Sequence, residues 1–478
     1  MIQSCDQKST SKNVDTSADS TVSTTESNDI SWVDNAVIYE VNLRQYTPEG
    51  TIKAFMQHLD KIQDLGVDVL WFMPIHPIGV KNRKETEQSL GSYYSIRDYR
   101  GVNPDFGTKE DFKALVDKCH EMGFKVVLDW VANHSSWDHA WVTEHPEWYT
   151  ADSYGNRPIV PIDNDGKATD WTDVADLNYE NAEFRKAMIA DMKYWVTDFD
   201  VDGFRCDVAG FVPVDFWVQA RTELETVKPL FMLAEWEDAA YYEAFDFTYA
   251  WHQHHVMQEI IKGEQTVEDW KNLAKEAKTG WTGAPDSLKL WGPYNNQMNF
   301  ITNHDENSWN KTVFDRFGNA HRCFATLSFT LPGLPLIYSG QEAAMSKVLR
   351  FFEKDTIDWS QDSLRGFYKA LVELKHENSA LNIGENGGEF KIISNQENDY
   401  NGLFVFERMS QSDTLVVVAN LSNKNKTFKL ETPYPRVRQL RFSSSSENTR
   451  LALKTPMKSY NNGLQPWECQ VYEIVKAE

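Results

Sequence analysis

The sequence predicts an α/β chain built on a closed (β/α)8 TIM barrel. A small loop domain follows the third strand, and a C-terminal antiparallel β-sandwich follows the barrel. Three observations point there. From residue 32 onward, short apolar runs alternate with amphipathic segments of helical period. Eight runs can be counted, and eight strands alternating with helices close into a parallel barrel more readily than they make an open sheet. Four of the runs stop at acidic or polar residues: Lys125-Val-Val-Leu-Asp129 leading to Asn133-His134, Gly203-Phe-Arg205-Cys-Asp207, Phe231-Met-Leu-Ala-Glu235, and Phe300-Ile-Thr-Asn303-His304-Asp305. A short apolar run bounded by polar residues suits a strand buried on both faces. Charges at the carboxyl ends of such strands converge on the face where barrel enzymes keep their chemistry.

The elements follow in order. Val37–Asn42 reads as the first strand, and Ile52–Leu65 as an amphipathic helix closed by Gly66. Asp68–Met73 is the second strand, ended by Pro74. Lys109–Met122 is a helix closed by Gly123, and Lys125–Asp129 is strand three. From Ser135 to Asn178 the chain is rich in Trp, Asp, Pro and Gly. A loop this long in a compact domain is usually functional, so an excursion over the catalytic face is expected. Ala182–Asp198 is a helix, and Asp202–Asp207, Leu230–Glu235, Ala244–Tyr249 and Met298–Asn303 are strands four to seven. A helix over Arg322–Leu331 precedes strand eight, Leu334–Tyr338. After about residue 385, β-rich runs at 388–394, 402–409, 414–421, 426–430, 439–443 and 471–475 predict the separate β domain, taken as 386–478. The barrel is taken as 32–385, with the excursion at about 135–178, and residues 1–31 as a disordered tether.

The 478 residues suffice for a barrel of about 250 residues or more plus smaller parts. Lys plus Arg is 48 and Asp plus Glu is 71, for a net charge of −23. This argues against nucleic acid as a partner, because a polyanion would be repelled. Seventeen Trp, 19 Tyr and 26 Phe supply flat rings of a kind that can stack on sugar faces, although most are expected in the core. Of the five cysteines, Cys119, Cys206, Cys323 and Cys469 show neither CxxC nor zinc spacing and read as buried thiols. Cys5 differs. Met1-Ile-Gln-Ser-Cys5 resembles the end of a bacterial lipoprotein signal, and Asp6–Ser31 is too polar to fold. A lipid on Cys5 is therefore the expected membrane attachment, with an upstream signal removed. The expected location is periplasmic or outer-membrane-anchored in a Gram-negative bacterium. A monomer is expected.

Three carboxylates at these strand ends, Asp207, Glu235 and Asp305, suggest glycoside hydrolysis. The four strand-end motifs stand in the order that the α-amylase family shows. So do Gly91-Ser-Tyr-Tyr94-Ser-Ile-Arg-Asp98-Tyr99, Asn103–Thr108 and Leu331–Glu342. From about Trp32 to the end the chain resembles that family of retaining α-glycosidases, with neopullulanase-, cyclomaltodextrinase- and oligo-1,6-glucosidase-like members nearest. The resemblance implies that Asp207 is the nucleophile, Glu235 the general acid and then base, and Asp305 a binder of sugar hydroxyls. It implies that His134 and His304 hydrogen-bond the cleaved sugar, that Tyr94 stacks beneath it, and that Asp98 joins the substrate contacts. For Asp98, Asp129 and Asn133 the alternative is loop bracing; for Trp130, Trp236 and Trp309 it is core or rim. Arg205, two residues before Asp207 on the same strand face, is expected to touch the site and to lower the Asp207 pKa. Glu235 is expected to be raised by burial and neighbouring charge.

The sequence also departs from the family pattern. Typical α-amylases follow the nucleophile with Ala-Val-Lys-His, whereas here Val208-Ala-Gly-Phe211 stands. The Lys-His pair, with its calcium-holding His, is missing. Asn42–Glu49 lacks the acidic glycine-containing loop of oligo-1,6-glucosidases, and no β domain of the neopullulanase type is read before the first strand. Asn133, Asp163 and Asp165 remain metal candidates, since Asp163-Asn-Asp165-Gly166 has some calcium-loop character, but a solvated turn fits it better. No cofactor is required; calcium is allowed for but not expected to be essential. The expected substrate is an α-glucan oligosaccharide with α-1,4 and, as a second option, α-1,6 links. The rival readings are a transglycosylase or isomerase sharing the covalent intermediate and a non-catalytic glucan-binding barrel.

Overall fold

The computed structural model describes residues 30–84, 88–275, 296–383, 387–393, 402–428, 437–445 and 463–475. The expected tether up to residue 29 lies outside them. Eight parallel strands close into a barrel in chain order: β1 (Ile38–Val41), β2 (Val69–Phe72), β3 (Lys125–Trp130), β4 (Gly203–Cys206), β5 (Phe231–Ala234), β6 (Phe247–Tyr249), β7 (Gln297–Asn299) and β8 (Leu334–Tyr338). The closing pair is β8 with β1, in the register Ile38↔Leu336.

Strand alternation divides the apolar residues into two layers. Ile38, Val69, Trp71, Val127, Leu233, Tyr249 and Leu336 form one buried cluster, the filling of the barrel. Val37, Leu70, Phe72, Val126, Leu128 and Phe204 face outward and pack in the larger cluster with the helices. A strand buried on both sides must be nearly all apolar, as Val69-Leu-Trp-Phe72 is. Gly66 and Gly123 end their helices at φ of 93° and 90°, a region open to glycine without strain.

The structure differs from the expected elements in two places that matter. The segment 52–65 is two helices, Ile52–Met56 and Leu59–Leu65, because the chain turns at Gln57 and His58. Strand seven stops at Asn299, and a short helix, His304–Trp309, starts behind an Asn303 cap that accepts the Glu306 N–H at 2.8 Å. Asp305 therefore sits on a helix turn rather than at a strand end. The helices Val214–Leu224 and Trp251–Lys262 complete the connections after β4 and β6.

The excursion after β3 is closed at its base by an antiparallel pair, His134–Ser136 with Val174–Asp176. Beyond the barrel, β9 (Glu389–Ile392), β10 (Leu403–Met409), β11 (Thr414–Asn420), β12 (Val437–Ser443) and β13 (Cys469–Val475) form an antiparallel sheet in the order β9-β10-β11-β13-β12. One face, with Phe404, Phe406, Val417, Phe442 and Val471, joins the barrel's outer core. The other, with Leu403, Val405, Val416 and Val418, is covered by Phe428 and Leu464 beside a two-stranded ladder, the second layer of the sandwich. Cys119, Cys206, Cys323 and Cys469 are buried and free. Among the described residues no helix is long and apolar enough to cross a membrane.

Candidate active site

Register builds the centre of the site. Asp129 of β3 pairs with Arg205 of β4, so the two side chains enter the barrel side by side. Cys206 pairs with Ala234, and the next residues, Asp207 and Glu235, leave their strands together. Arg205 has no exposed surface. Its Nη1 donates to Asp129 Oδ1 and to Asp207 Oδ1, both at 2.9 Å, and its Nε donates to Tyr249 Oη at 2.9 Å. Nη2 lies 2.9 Å from Glu235 Oε2 as a charge contact out of hydrogen-bond alignment. The aligned donor to that oxygen is the Val208 N–H, at 2.8 Å. Val208 reaches this position with φ 35° and ψ 48°, a left-handed conformation that a β-branched residue adopts only under strain.

The expected sign for Asp207 is reversed. Burial and the charge of Glu235 push its carboxyl well above the usual carboxylate range, and Arg205 does not offset them. One guanidinium is shared among three carboxylates here, so none receives its full charge. Asp129 is likewise raised, to about 6, by burial against the opposing pull of Arg205.

The rest of the site surrounds this centre. His304 Nε2 lies 2.7 Å from Tyr94 Oη and 3.3 Å from Asp305 Oδ2. Tyr94 also donates to Asp129 Oδ2 at 3.2 Å and stacks on Phe351 with ring planes 8° apart. Burial drives the His134 imidazole down to about 3, so it is neutral. These residues line a cleft of about 440 Å³, within the size range of small-ligand sites. Asp207, Glu235, His304 and Asp305 lie on its floor and walls, and Trp171, Trp309, Phe351 and Phe352 are its rings.

The family model described as the alpha amylase catalytic domain matches residues 14–365. The chain belongs to the alpha-amylase family. An alpha-amylase of Haloarcula japonica, MalA, is 25% identical over 419 residues, covering 84% of this chain and 57% of that protein. The chain thus spans less than two thirds of that relative's length. A maltogenic alpha-amylase, AmyB, from Thermotoga neapolitana has the same fold with a TM-score of 0.75 at 28% identity, over 93% of this chain and 100% of that one. An alpha-amylase from Lactobacillus plantarum gives 0.75 at 29% identity with the same coverage.

Within this alpha-amylase-family site, Tyr94, His134, Arg205, Asp207, Glu235, His304 and Asp305 come together. Asp98 does not: it is exposed, outside the cleft lining, and accepts the Arg100 N–H at 2.9 Å in a local turn. Asn133 Nδ2 is 3.2 Å from His134 Nδ1. Asp163 Oδ1 is taken by the Asp165 and Lys167 N–H groups in a partly exposed turn. Among the described residues no group of three or more His, Cys, Asp or Glu is placed to hold a metal ion. Of the tryptophans, Trp130 is core and Trp309, 54% exposed, is a cleft wall. Trp236 packs on Gly210, where a Cβ would lie 2.0 Å from the indole. Trp171, Phe351 and Phe352 escape sequence reading because distant loops deliver them. Glu40 carries a usable signal, a lone charge inside the apolar run Ile38–Val41.

Arg205→Met should destabilise the fold strongly, by about 3–5 kcal/mol, because it leaves buried carboxylates uncompensated. The folded pKa values of Asp129 and Asp207 then rise further above the unfolded ones. The lost stability is thus greatest at high pH and is recovered as pH falls and the carboxyls protonate. Melting temperatures at pH 5 and pH 8 check this: the deficit against wild type should be larger at pH 8.

Proposed function

We propose that this enzyme hydrolyses α-glucosidic bonds, chiefly α-1,4, in malto-oligosaccharides with retention of configuration. The observation that carries the reading is the pair Asp207 and Glu235 on one buried guanidinium, with Asp305 and His304 in the same ring-walled cleft. In the first step Asp207 Oδ attacks the anomeric carbon while Glu235 protonates the departing glycosidic oxygen. In the second, Glu235 takes a proton from water, and the water oxygen displaces Asp207. Asp305, His134 and His304 hold sugar hydroxyls, and Tyr94 offers a ring face. No step needs a metal.

Short substrates are favoured. The family's Lys position after the nucleophile is Gly210, and the Trp236 indole fills the space beside it. A transglycosylase would use the same intermediate, with a sugar hydroxyl replacing water. Product profiles on maltotriose, panose, pullulan and starch separate the two: hydrolysis yields only shorter sugars, transfer also yields longer ones. The polar stretch behind Ser4-Cys5 supports a lipid tether that would hold this activity at a membrane.

Asp207→Asn should keep its fold and lose turnover by far more than tenfold, since each tenfold is only ~1.4 kcal/mol of barrier and an amide cannot form the glycosyl-enzyme. Residual activity within tenfold of wild type would remove Asp207 from the nucleophile role. Glu235→Gln should slow glycosylation by maltotriose much more than by an aryl glucoside, whose leaving group needs little protonation. Single-turnover rates on both substrates test this, and equal losses would reject Glu235 as the acid. Expressed behind a bacterial lipoprotein signal peptide, the protein should enter the detergent phase, and Cys5→Ser should stay in the aqueous phase. Equal partitioning would reject the lipid.

A further inference from the structure

Glu40 lies in the middle of β1 with no exposed surface, in register with Trp71 of β2 and Tyr338 of β8. A buried carboxylate is expensive unless it is paired. Its Oε1 is 2.5 Å from His304 Nδ1, and its Oε2 has no hydrogen-bond partner among the described residues. On the other side of the imidazole, Nε2 faces Tyr94 Oη at 2.7 Å and Asp305 Oδ2 at 3.3 Å. Tyr94 donates its own proton to Asp129 Oδ2, and Asp129 Oδ1 accepts from Arg205.

These contacts are mutually consistent with one protonation state. With protons on both nitrogens, Nδ1–H donates to Glu40 and Nε2–H donates to Tyr94 Oη, leaving the Tyr94 O–H free for Asp129. A neutral ring protonated only on Nδ1 would turn a lone pair toward the Asp305 carboxylate. It would also take the Tyr94 proton away from Asp129.

We propose that Glu40 is a positioning residue that keeps His304 doubly protonated, giving the substrate cleft a fixed cationic donor beside Asp305. The value of that donor for substrate rests on the hydrolytic reading above. The charged and titratable groups around the ring agree on balance. Glu40 comes from β1, Tyr94 from the loop after β2, Asp129 from β3, Arg205 from β4 and Asp305 from the ring's own helix, while Tyr249 of β6 and Tyr338 of β8 face Glu40. Burial alone would depress the imidazole, and Arg205 opposes its charge. Asp305 and Glu40 outweigh both and raise it to about 9.

Glu40→Gln keeps an oxygen acceptor for Nδ1–H but removes the charge. Protein labelled with 15N-histidine, with the His304 signals assigned by their loss in His304→Gln, reads the charge state directly and without substrate. Wild-type His304 should be imidazolium at pH 7.5, and in Glu40→Gln it should lose its proton at least about two pH units lower. The kcat/KM of Glu40→Gln on maltotriose should fall at least about tenfold below wild type at pH 8, a barrier change of ~1.4 kcal/mol. A neutral wild-type ring at pH 7.5, an unmoved titration in the variant, or unchanged kcat/KM at pH 8 would each overturn the proposal. The wild-type spectrum decides even if the variant does not fold. Wild-type protein that cleaves no malto-oligosaccharide would sink the hydrolytic reading and leave the His304 spectrum to judge the pair.

Discussion

A guanidinium with no exposed surface lies between three carboxylates at the mouth of the barrel, and the site is arranged around it. Arg205 touches Asp129, Asp207 and Glu235, and its flat group lies 5.1 Å from the Trp71 ring centroid, 5.9 Å from Tyr94 and 5.5 Å from Tyr249. Removing such an ion from water costs several kcal/mol, offset only when charge partners and rings surround it. Strand register meets that need, since neighbouring parallel strands deliver side chains at the same height. The acids are thus held close, despite their repulsion, by a buried cation that makes their closeness tolerable.

The loops finish what the strands begin. Phe211 stacks on Trp171 of the excursion at 5.9 Å and 26°, and Trp171 lies 5.7 Å from His134. On its other side Phe211 meets Trp236 edge-on at 5.9 Å. The segment after the nucleophile is therefore joined to the excursion through rings, at the place where related enzymes put a Lys-His pair. The unfavourable backbone of Val208 belongs to the same stretch and aims its N–H at Glu235.

What the sequence disclosed follows from what is local. The barrel was legible because buried parallel strands must be apolar and helices must be amphipathic. Asp207 and Glu235 were legible because each directly follows its strand. Asp305 was assigned to the site but to the wrong element, since an Asn cap three residues before Glu306 looks, in one dimension, like a strand ending. Asp98 sits among cleft-facing residues in sequence, yet it lies in a turn whose carboxylate points to its own backbone. The sign at Asp207 was not legible at all. It depends on how many carboxylates share Arg205, and Asp129, Asp207 and Glu235 are brought together only by folding. Glu40 and His304 are further apart still in the chain and meet only across the closing of the barrel.

The C-terminal sheet has apolar side chains on both of its faces. Phe404 and Phe406 are part of the barrel's own outer core, and Leu403 and Val405 belong to a smaller cluster on the far side. Arg408, buried between them and the barrel, donates to the Thr330 carbonyl at the end of the helix before β8 and to the Asn382 carbonyl. Separating sheet from barrel would expose a broad apolar surface and leave that arginine's acceptors bare, a combination that favours aggregation over independent folding. Sheet and barrel therefore behave as one cooperative unit. Thermal denaturation of the catalytic barrel and of the appendage is expected to be a single event, and selection for stability in either part then acts on both.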